Sequence, residues 1–292
     1  MKILVTGATG KLGMKVVEAL LKTVPAGQLA VSVRNPEKAE GLKARGVDVR
    51  HGDFDRPETL TSTFAGIDRL LIISADGDNE TRIRQHANAV AAAEQARVKF
   101  IAYTSVANAK ESSLSLAEVH RTTEEAIRKT GIPYSFLRNN WYLENETGSI
   151  QGALAGAPWV TSAGAGKVGW ALRKDYAEAA AAVLAGSGHE NTVYELSGKP
   201  MTQQELVSAL GTVLGKEVPL QQVDDDAYAG IMKGAGLPDF LIALFVGIQK
   251  AIRDRALDVE SSDFEKLLGR PATPIREALA QIVDEISNNA AL

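Results

Sequence analysis

Gly7, Gly10 and Gly13 stand three residues apart in Gly7-Ala-Thr-Gly10-Lys-Leu-Gly13, between the apolar run Ile3-Leu4-Val5-Thr6 and the amphipathic stretch Leu12 to Lys22. That junction is where bare backbone can do chemistry. A strand turning sharply into a helix leaves the first helical N–H groups without partners, at the positive end of the helix dipole, where a pyrophosphate can accept them. Gly7 suits the tight turn, Gly10 lets the backbone reach the phosphates, and Gly13 lets the helix pack closely on the sheet. Thr9 adds a hydroxyl for a phosphate oxygen. The spacing is G-x-x-G-x-x-G rather than the common G-x-G-x-x-G, so the strand before it and the helix after it carry the reading.

The second apolar run, Leu29-Ala-Val-Ser-Val33, ends in Arg34-Asn35-Pro36-Glu37-Lys38. An acid at that strand end would accept hydrogen bonds from the ribose 2′-OH of NAD. Arg34 stands there instead. A guanidinium grips a 2′-phosphate that a carboxylate would repel, and Lys38 supplies a second cation one turn later. NADP(H) is therefore the expected cofactor.

These residues need a scaffold that brings strand ends together. Strand candidates are Ile3–Thr6, Leu29–Val33, Val47–His51, Arg69–Ser74, Phe100–Thr104 and Tyr134–Leu137. Helix candidates between them are Leu12–Lys22, Pro36–Arg45, Pro57–Phe64, Arg82–Ala96 and Ala117–Thr130. The alternation predicts an α/β fold: a doubly wound parallel sheet of the Rossmann type, with ligands across the carboxyl ends of the strands. Residues 1–150 form the dinucleotide-binding part. Residues 151–292 form a smaller, mostly helical cap, with about 170–198 packing back on the first part. The cap carries a helix Asp175–Leu184, a strand Thr192–Leu196, and helices Thr202–Leu214 and Pro274–Ile286, with Thr202 and Thr273 as start signals. Phe240 to Ile248 lacks any charge and is too short to span a bilayer. It reads as a core or interface helix, or as an apolar lid over the substrate.

Composition narrows the function. The chain has 292 residues, 45% of them hydrophobic, and a net charge of −4, so it lacks the basic excess that drives binding to nucleic acid or anionic membranes. It has no cysteine, which excludes disulfides and thiol nucleophiles. Its four histidines, His51, His86, His120 and His189, lack metal-ligand spacing, so no metal site is expected. No signal-peptide layout is seen, and a cytoplasmic location is the expectation. The oligomeric state is left open.

The predicted strand ends supply the remaining candidates. Asp53 and Phe54 follow the third strand, where a carboxylate and an aromatic face meet an adenine. Ser74 and Ala75 follow the fourth strand, Tyr103, Thr104 and Ser105 close the fifth, and Arg138-Asn139-Asn140-Trp141-Tyr142 follow the sixth.

With these residues laid out, the chain resembles the NmrA-like group of atypical short-chain dehydrogenase/reductases. Within it, the chain is most similar to bacterial NADPH-dependent quinone oxidoreductases and triphenylmethane-dye reductases. The similarity runs nearly end to end, through Val5 to Gly13, Val33 to Lys38, Phe100 to Ser105, Leu137-Arg-Asn139 and Gly188-His-Glu190. The resemblance implies NADPH held by Gly7, Thr9, Gly10, Lys11, Leu12, Arg34 and Lys38, and an adenine pocket near Asp53 and Phe54. It further implies a nicotinamide end near Ser74, Tyr103 and Asn139, with Arg173 facing the cofactor cleft.

One departure bears on mechanism. Ordinary short-chain dehydrogenases carry Tyr-x-x-x-Lys on the helix after the fifth strand, yet none of the six tyrosines here has a lysine four residues on. That helix offers His120 and Glu124, one turn apart, so that a carboxylate can orient an imidazole, or the two form an exposed pair. Hydride delivery to a ketone builds an alkoxide that needs a strong proton donor. Delivery to a quinone yields a delocalised hydroquinone anion that asks for less. The expected activity is thus reduction of quinones or similar extended electron-poor acceptors such as dyes. Asn139 would orient the cofactor or the acceptor oxygen, with Tyr142 or His120 as further donors. The alternative is a dinucleotide-sensing regulatory protein without catalysis, since some NmrA-like proteins act that way. A nucleotide-sugar epimerase or dehydratase shares the glycine motif but normally keeps the Tyr-Lys pair.

Overall fold

The computed structural model describes residues 1–290. Seven strands form one parallel sheet: β1 (Ile3–Thr6), β2 (Leu29–Val33), β3 (Asp48–His51), β4 (Arg69–Ile72), β5 (Phe100–Val106), β6 (Tyr134–Asn139) and β7 (Thr192–Leu196). Their spatial order is β7-β6-β5-β4-β1-β2-β3. The order reverses between β1 and β4, and a doubly wound sheet opens its ligand crevice at such a reversal. β1, β2 and β5 are buried at every residue, the continuous apolar pattern expected of strands covered on both faces.

Helices cover both faces of the sheet. On one lie α1 (Lys11–Leu20), α2 (Glu40–Ala44) and α7 (Arg173–Ala185), whose side chains share a core with β1 and β2. On the other, α3 (Leu60–Phe64), α4 (Asn79–Gln95) and α5 (Ala117–Lys129) pack around Phe64, Ile101 and Phe136. A third core joins α6 (Thr147–Leu154), α8 (Gln203–Leu214), α10 (Asp239–Arg253) and α12 (Ile275–Ala290), with Trp159, Trp170 and Leu206 at its centre. α9 (Asp225–Gly234) packs on α10, and α11 (Asp263–Leu268) on α7. Residues 170–198 thus pack back on the sheet: α7 lies along α1, and β7 pairs with β6 with Leu196 opposite Asn139.

Some predicted boundaries shift for local reasons. Pro36 and Pro57 each open a short 3₁₀ turn before α2 and α3, which shortens the two helices expected there. α4 starts at Asn79, three residues before the expected Arg82, because the Asp78 side chain accepts the Thr81 N–H as an N-cap. Thr202 and Glu205 form a reciprocal capping box on α8. Thr273 is not a cap; its hydroxyl and N–H both go to Asp175, each at 3.0 Å. The uncharged run at 240–248 lies in α10 and is neither wholly core nor wholly lid: Ile242 is buried, while Phe240 is 72% exposed. No helix among the described residues is long and apolar enough to cross a membrane.

Asp175 is the main polar tie between these layers. It is fully buried in the first turn of α7 and also binds Arg270 at 2.8 Å, so it anchors the segment leading into α12. Removing one partner of a buried charged set leaves the others uncompensated. Asp175→Ala should lower the unfolding free energy by about 3–5 kcal/mol in denaturant titration. Arg270→Ala, whose side chain is 40% exposed, should cost clearly less, and equal losses would refute the anchoring role.

Candidate active site

The glycine turn takes its shape from close approach. Gly7 has φ +59°, the left-handed region, and Gly13 sits so near the turn that a Cβ would lie 2.8 Å from Ala8 Cα. Gly10 is the N-cap of α1, its N–H bonded to Gly7 O at 2.9 Å. α1 opens with no side-chain cap and no acid in its first turn, so neither occupies the place an anion would take. Thr9, Gly10 and Lys11 are exposed around the turn. Leu12 points into the core, leaving only its backbone N–H for a ligand.

β2 runs beside β1 with Ser32 opposite Thr6, which brings Arg34 out next to the glycine turn. Asn35 accepts the Glu37 N–H and fixes the 3₁₀ turn that carries Lys38. Arg34 and Lys38 are both exposed, and among the described residues no ion pair holds either. After β3, Asp53 and Phe54 are half-buried. Asp53 accepts the Asp55 N–H at 3.0 Å, and the Phe54 carbonyl accepts Asn88 Nδ2 at 2.8 Å, so the loop is braced from within.

At the far side of the crevice, Asn139 ends β6. Its Nδ2 donates to the Tyr142 hydroxyl oxygen at 3.0 Å, while its Oδ1 is buried without a partner. A buried acceptor left bare is costly unless something arrives to fill it, and the amide of a nicotinamide is the right donor. Arg173 lies with its guanidinium carbon 4.9 Å from the Tyr142 ring centre and donates to Asn145 Oδ1 at 2.7 Å. Burial raises the Tyr142 hydroxyl above its ordinary value despite the Asn139 hydrogen bond, so Tyr142 stays a neutral phenol.

The ends of β4 and β5 hold a polar cluster that departs from expectation. Ser74 N donates to Thr104 Oγ1 and Ala75 N to His86 Nε2, both at 2.9 Å, so these four residues brace one another. Tyr103 is fully buried, with its hydroxyl 2.8 Å from His120 Nδ1; it offers no surface to a cofactor, contrary to its expected place at the nicotinamide end. His120 is 5% exposed and lies 3.4 Å from Arg82 Nη2. A guanidinium only donates, so His120 Nε2 is the acceptor and the ring proton sits on Nδ1 towards Tyr103.

Glu124 does not orient His120. It is 2% exposed and accepts from Ser105 Oγ at 2.7 Å, Arg138 at 2.8 and 2.9 Å, and Arg128 at 3.2 Å. Spacing of four residues put both on one helix face, but the arginine that claims the carboxylate comes from another strand. Arg82 itself was missed as a site residue. The signal was present: Arg82 and His86 are four apart on α4 and so share one face, which meets the strand ends at Ser74 and Ala75.

Burial and the Arg82 charge hold both imidazoles neutral. They push His86 down to about 3 and His120 well below the ordinary histidine value, while burial raises the Tyr103 hydroxyl. A groove of about 790 Å³ lies elsewhere, between the end of β7 and helices α8, α11 and α12. It includes none of these side chains.

The two histidines give acid sensitivity. Below about pH 6.5 the unfolded imidazoles bind protons that the folded ones refuse, so the unfolded state gains protons and stability falls as pH drops. Each histidine contributes up to about 1.4 kcal/mol per pH unit in that range. His120→Asn should flatten the dependence of unfolding free energy on pH between 6.5 and 4 by about one histidine's worth. An unchanged slope would show that His120 is not held neutral.

Comparison with known proteins agrees with this architecture. The model of the NmrA-like family matches residues 1–263. Quinone oxidoreductase 2 of Escherichia coli is 41% identical over 281 residues, 96% of this chain and 98% of its own length. Among solved structures, Citrobacter sp. triphenylmethane reductase complexed with NADP(H) superposes with a TM-score of 0.92 at 44% identity, covering 97% of this chain and all of that one. The Escherichia coli NADPH-dependent quinone oxidoreductase complexed with NADPH gives 0.92 at 41% identity, covering 96% and 99%. Matched by that family model over residues 1–263 and by relatives of 41–44% identity over almost its whole length, the chain belongs to the NmrA-like family.

Proposed function

We propose that this chain is an NADPH-dependent reductase that passes hydride to quinones or similar extended acceptors, including dyes. The observation that carries the reading is the bare, buried Oδ1 of Asn139 at the end of β6, beside Tyr142 and Arg173, in a sheet whose first turn is cut back for a pyrophosphate. Relatives with 41% and 44% identity are reductases crystallised with this dinucleotide. A protein named NAD(P)H azoreductase, from Xenophilus azovorans, is 27% identical over 278 residues.

Residue roles follow from position. The N–H groups of the Gly7 to Gly13 turn, with Thr9, Lys11 and Leu12 N–H, hold the pyrophosphate, and Arg34 and Lys38 hold the 2′-phosphate. Asp53 and Phe54 border the adenine. Ser74, Ala75 and Thr104, the braced strand ends, would border the nicotinamide end of the cofactor, with Arg173 facing it. The bound cofactor supplies the hydride. Asn139 Oδ1 receives the carboxamide and so sets which ring face meets the acceptor. Its Nδ2 already bonds the Tyr142 oxygen, which leaves the Tyr142 O–H free to donate to the acceptor. His120, neutral and enclosed, is a positioning residue rather than a proton donor. No lysine lowers the pKa of a catalytic tyrosine, and a quinone does not require one, because its charge spreads over the ring.

Purified protein should consume NADPH, followed by its absorbance, when a simple benzoquinone is added. Dinucleotide binding without acceptor-dependent consumption would mark a sensor instead. Arg34→Ala should weaken NADPH binding by at least about tenfold while NADH binding changes little, since the loss of a charge-assisted phosphate contact is worth about 1.5–3 kcal/mol. Equal weakening of both would remove Arg34 from the 2′-phosphate. Asn139→Ala should cut kcat for benzoquinone by roughly 100-fold if the ring is misplaced, and full activity would discard the orienting role.

A further inference from the structure

Arg82 is a half-buried cation that the protein leaves uncompensated. Among the described residues no carboxylate pairs with it, and Asp76, the acid that acts on it, is exposed and reaches it only at longer range. Arg82 Nη2 donates to Ser74 Oγ at 2.8 Å and lies 3.4 Å from His120 Nε2. Nε is sealed from solvent without a partner, whereas Nη1 is neither sealed nor bonded. Such a cation costs free energy in the resting fold and repays it only when negative charge arrives.

Its place in the sheet shows where that charge would come from. Arg82 hangs over the end of β4, Asn139 ends β6, and β5 lies between them. Two strand spacings, roughly 10 Å, separate the two positions. That span suits a flat acceptor lying across the end of β5 with one edge at Asn139 and Tyr142 and the other at Arg82.

We propose that Arg82 is the oxyanion subsite of the acceptor: its free Nη1 binds the acceptor oxygen remote from Tyr142, which becomes negative on reduction. The inference rests on the reductase reading. In the step, the hydride supplied by the cofactor forms an O–H bond at the quinone oxygen beside Tyr142, as the cofactor's C–H bond breaks and the cofactor is oxidised. The carbonyl π electrons move through the ring to the far oxygen, giving the hydroquinone monoanion, and that oxygen takes a proton from water afterwards. Ser74 and His120 hold the guanidinium in place, and His120 can do so only while neutral, because an imidazolium would face Arg82 with a like charge.

The test uses a phenol as a stand-in for the reduced acceptor, independent of turnover. 4-Nitrophenol is titrated by absorbance on the whole protein saturated with NADP⁺. The bound probe should ionise at least about one pH unit lower than the free probe, a tenfold preference for phenolate. Arg82→Met should abolish that shift, and Arg82→Lys should keep part of it. In turnover with benzoquinone, Arg82→Met should lower kcat by about 100-fold with NADPH affinity unchanged, and added methylguanidinium should restore part of the rate. Thermal melts establish that the variants are folded, and the lysine variant serves if the methionine variant is not.

A probe that the wild type does not bind, or whose shift survives Arg82→Met, overturns the subsite. So does loss of NADPH affinity in that variant, which assigns Arg82 to the cofactor. A wild type that lowers the phenol's pKa through Arg82 yet oxidises no NADPH with benzoquinone ends the reductase reading and leaves the oxyanion subsite standing.

Discussion

Helix α1 has to begin within one hydrogen bond of the end of β1, and the room for that comes from side chains that are absent. At Gly13 any Cβ would run into Ala8, and at Gly7 the backbone turns left-handed. The consequence reaches beyond the turn. Because α1 lies so close to the sheet, the alanines of α7 can pack along its flank, and α7 carries Asp175, which reaches across to the segment before α12. The same start leaves helical N–H groups uncapped at the crevice, so one local constraint creates both the anion cradle and the packing order around it.

A second constraint fixes the other end of the crevice. Glu124 is a buried carboxylate, and desolvating it is affordable only because Ser105, Arg138 and Arg128 all donate to it. Arg138 in turn bonds Glu195 on β7, whose other oxygen accepts the Asn108 N–H after β5. This network crosses β5, β6 and β7 and ends one residue before Asn139. Helix α5 is thus tied through Glu124 to the strands beside it, and Asn139 follows directly on the arginine at the centre of that network.

How far the sequence was legible follows from the range of the interactions. The glycine turn could be read because each glycine answers to backbone only a few residues away. Six strands and their parallel arrangement could be read because alternating strands and helices leave few alternatives. β7 was visible as a strand, but not its seat beside β6, since that pairing joins Thr192 to Ser135 and depends on the whole cap folding back. His120 and Glu124 failed for the same reason: a helical interval tells which face two residues share and nothing of which strand will face them. Tyr103 ended a strand in the right region, yet the alternation of side chains turned it into the core rather than the crevice. Arg82 went unnoticed because its meaning lies in a missing partner, and a sequence does not display what fails to pair.

The charge state of the crevice then limits the chemistry it can support. One cation stands among Ser74, His86, Tyr103 and His120, and burial, with that charge as a second cause, keeps both imidazoles from taking up a proton. Both imidazoles are driven neutral and both phenols, Tyr103 and Tyr142, are held protonated, so this cluster offers no side chain poised to exchange a proton near neutral pH. Such a crevice suits an acceptor that spreads incoming charge over its own ring and waits for a proton from water. A ketone, whose alkoxide must be protonated as it forms, would meet there only phenols that burial makes weaker acids.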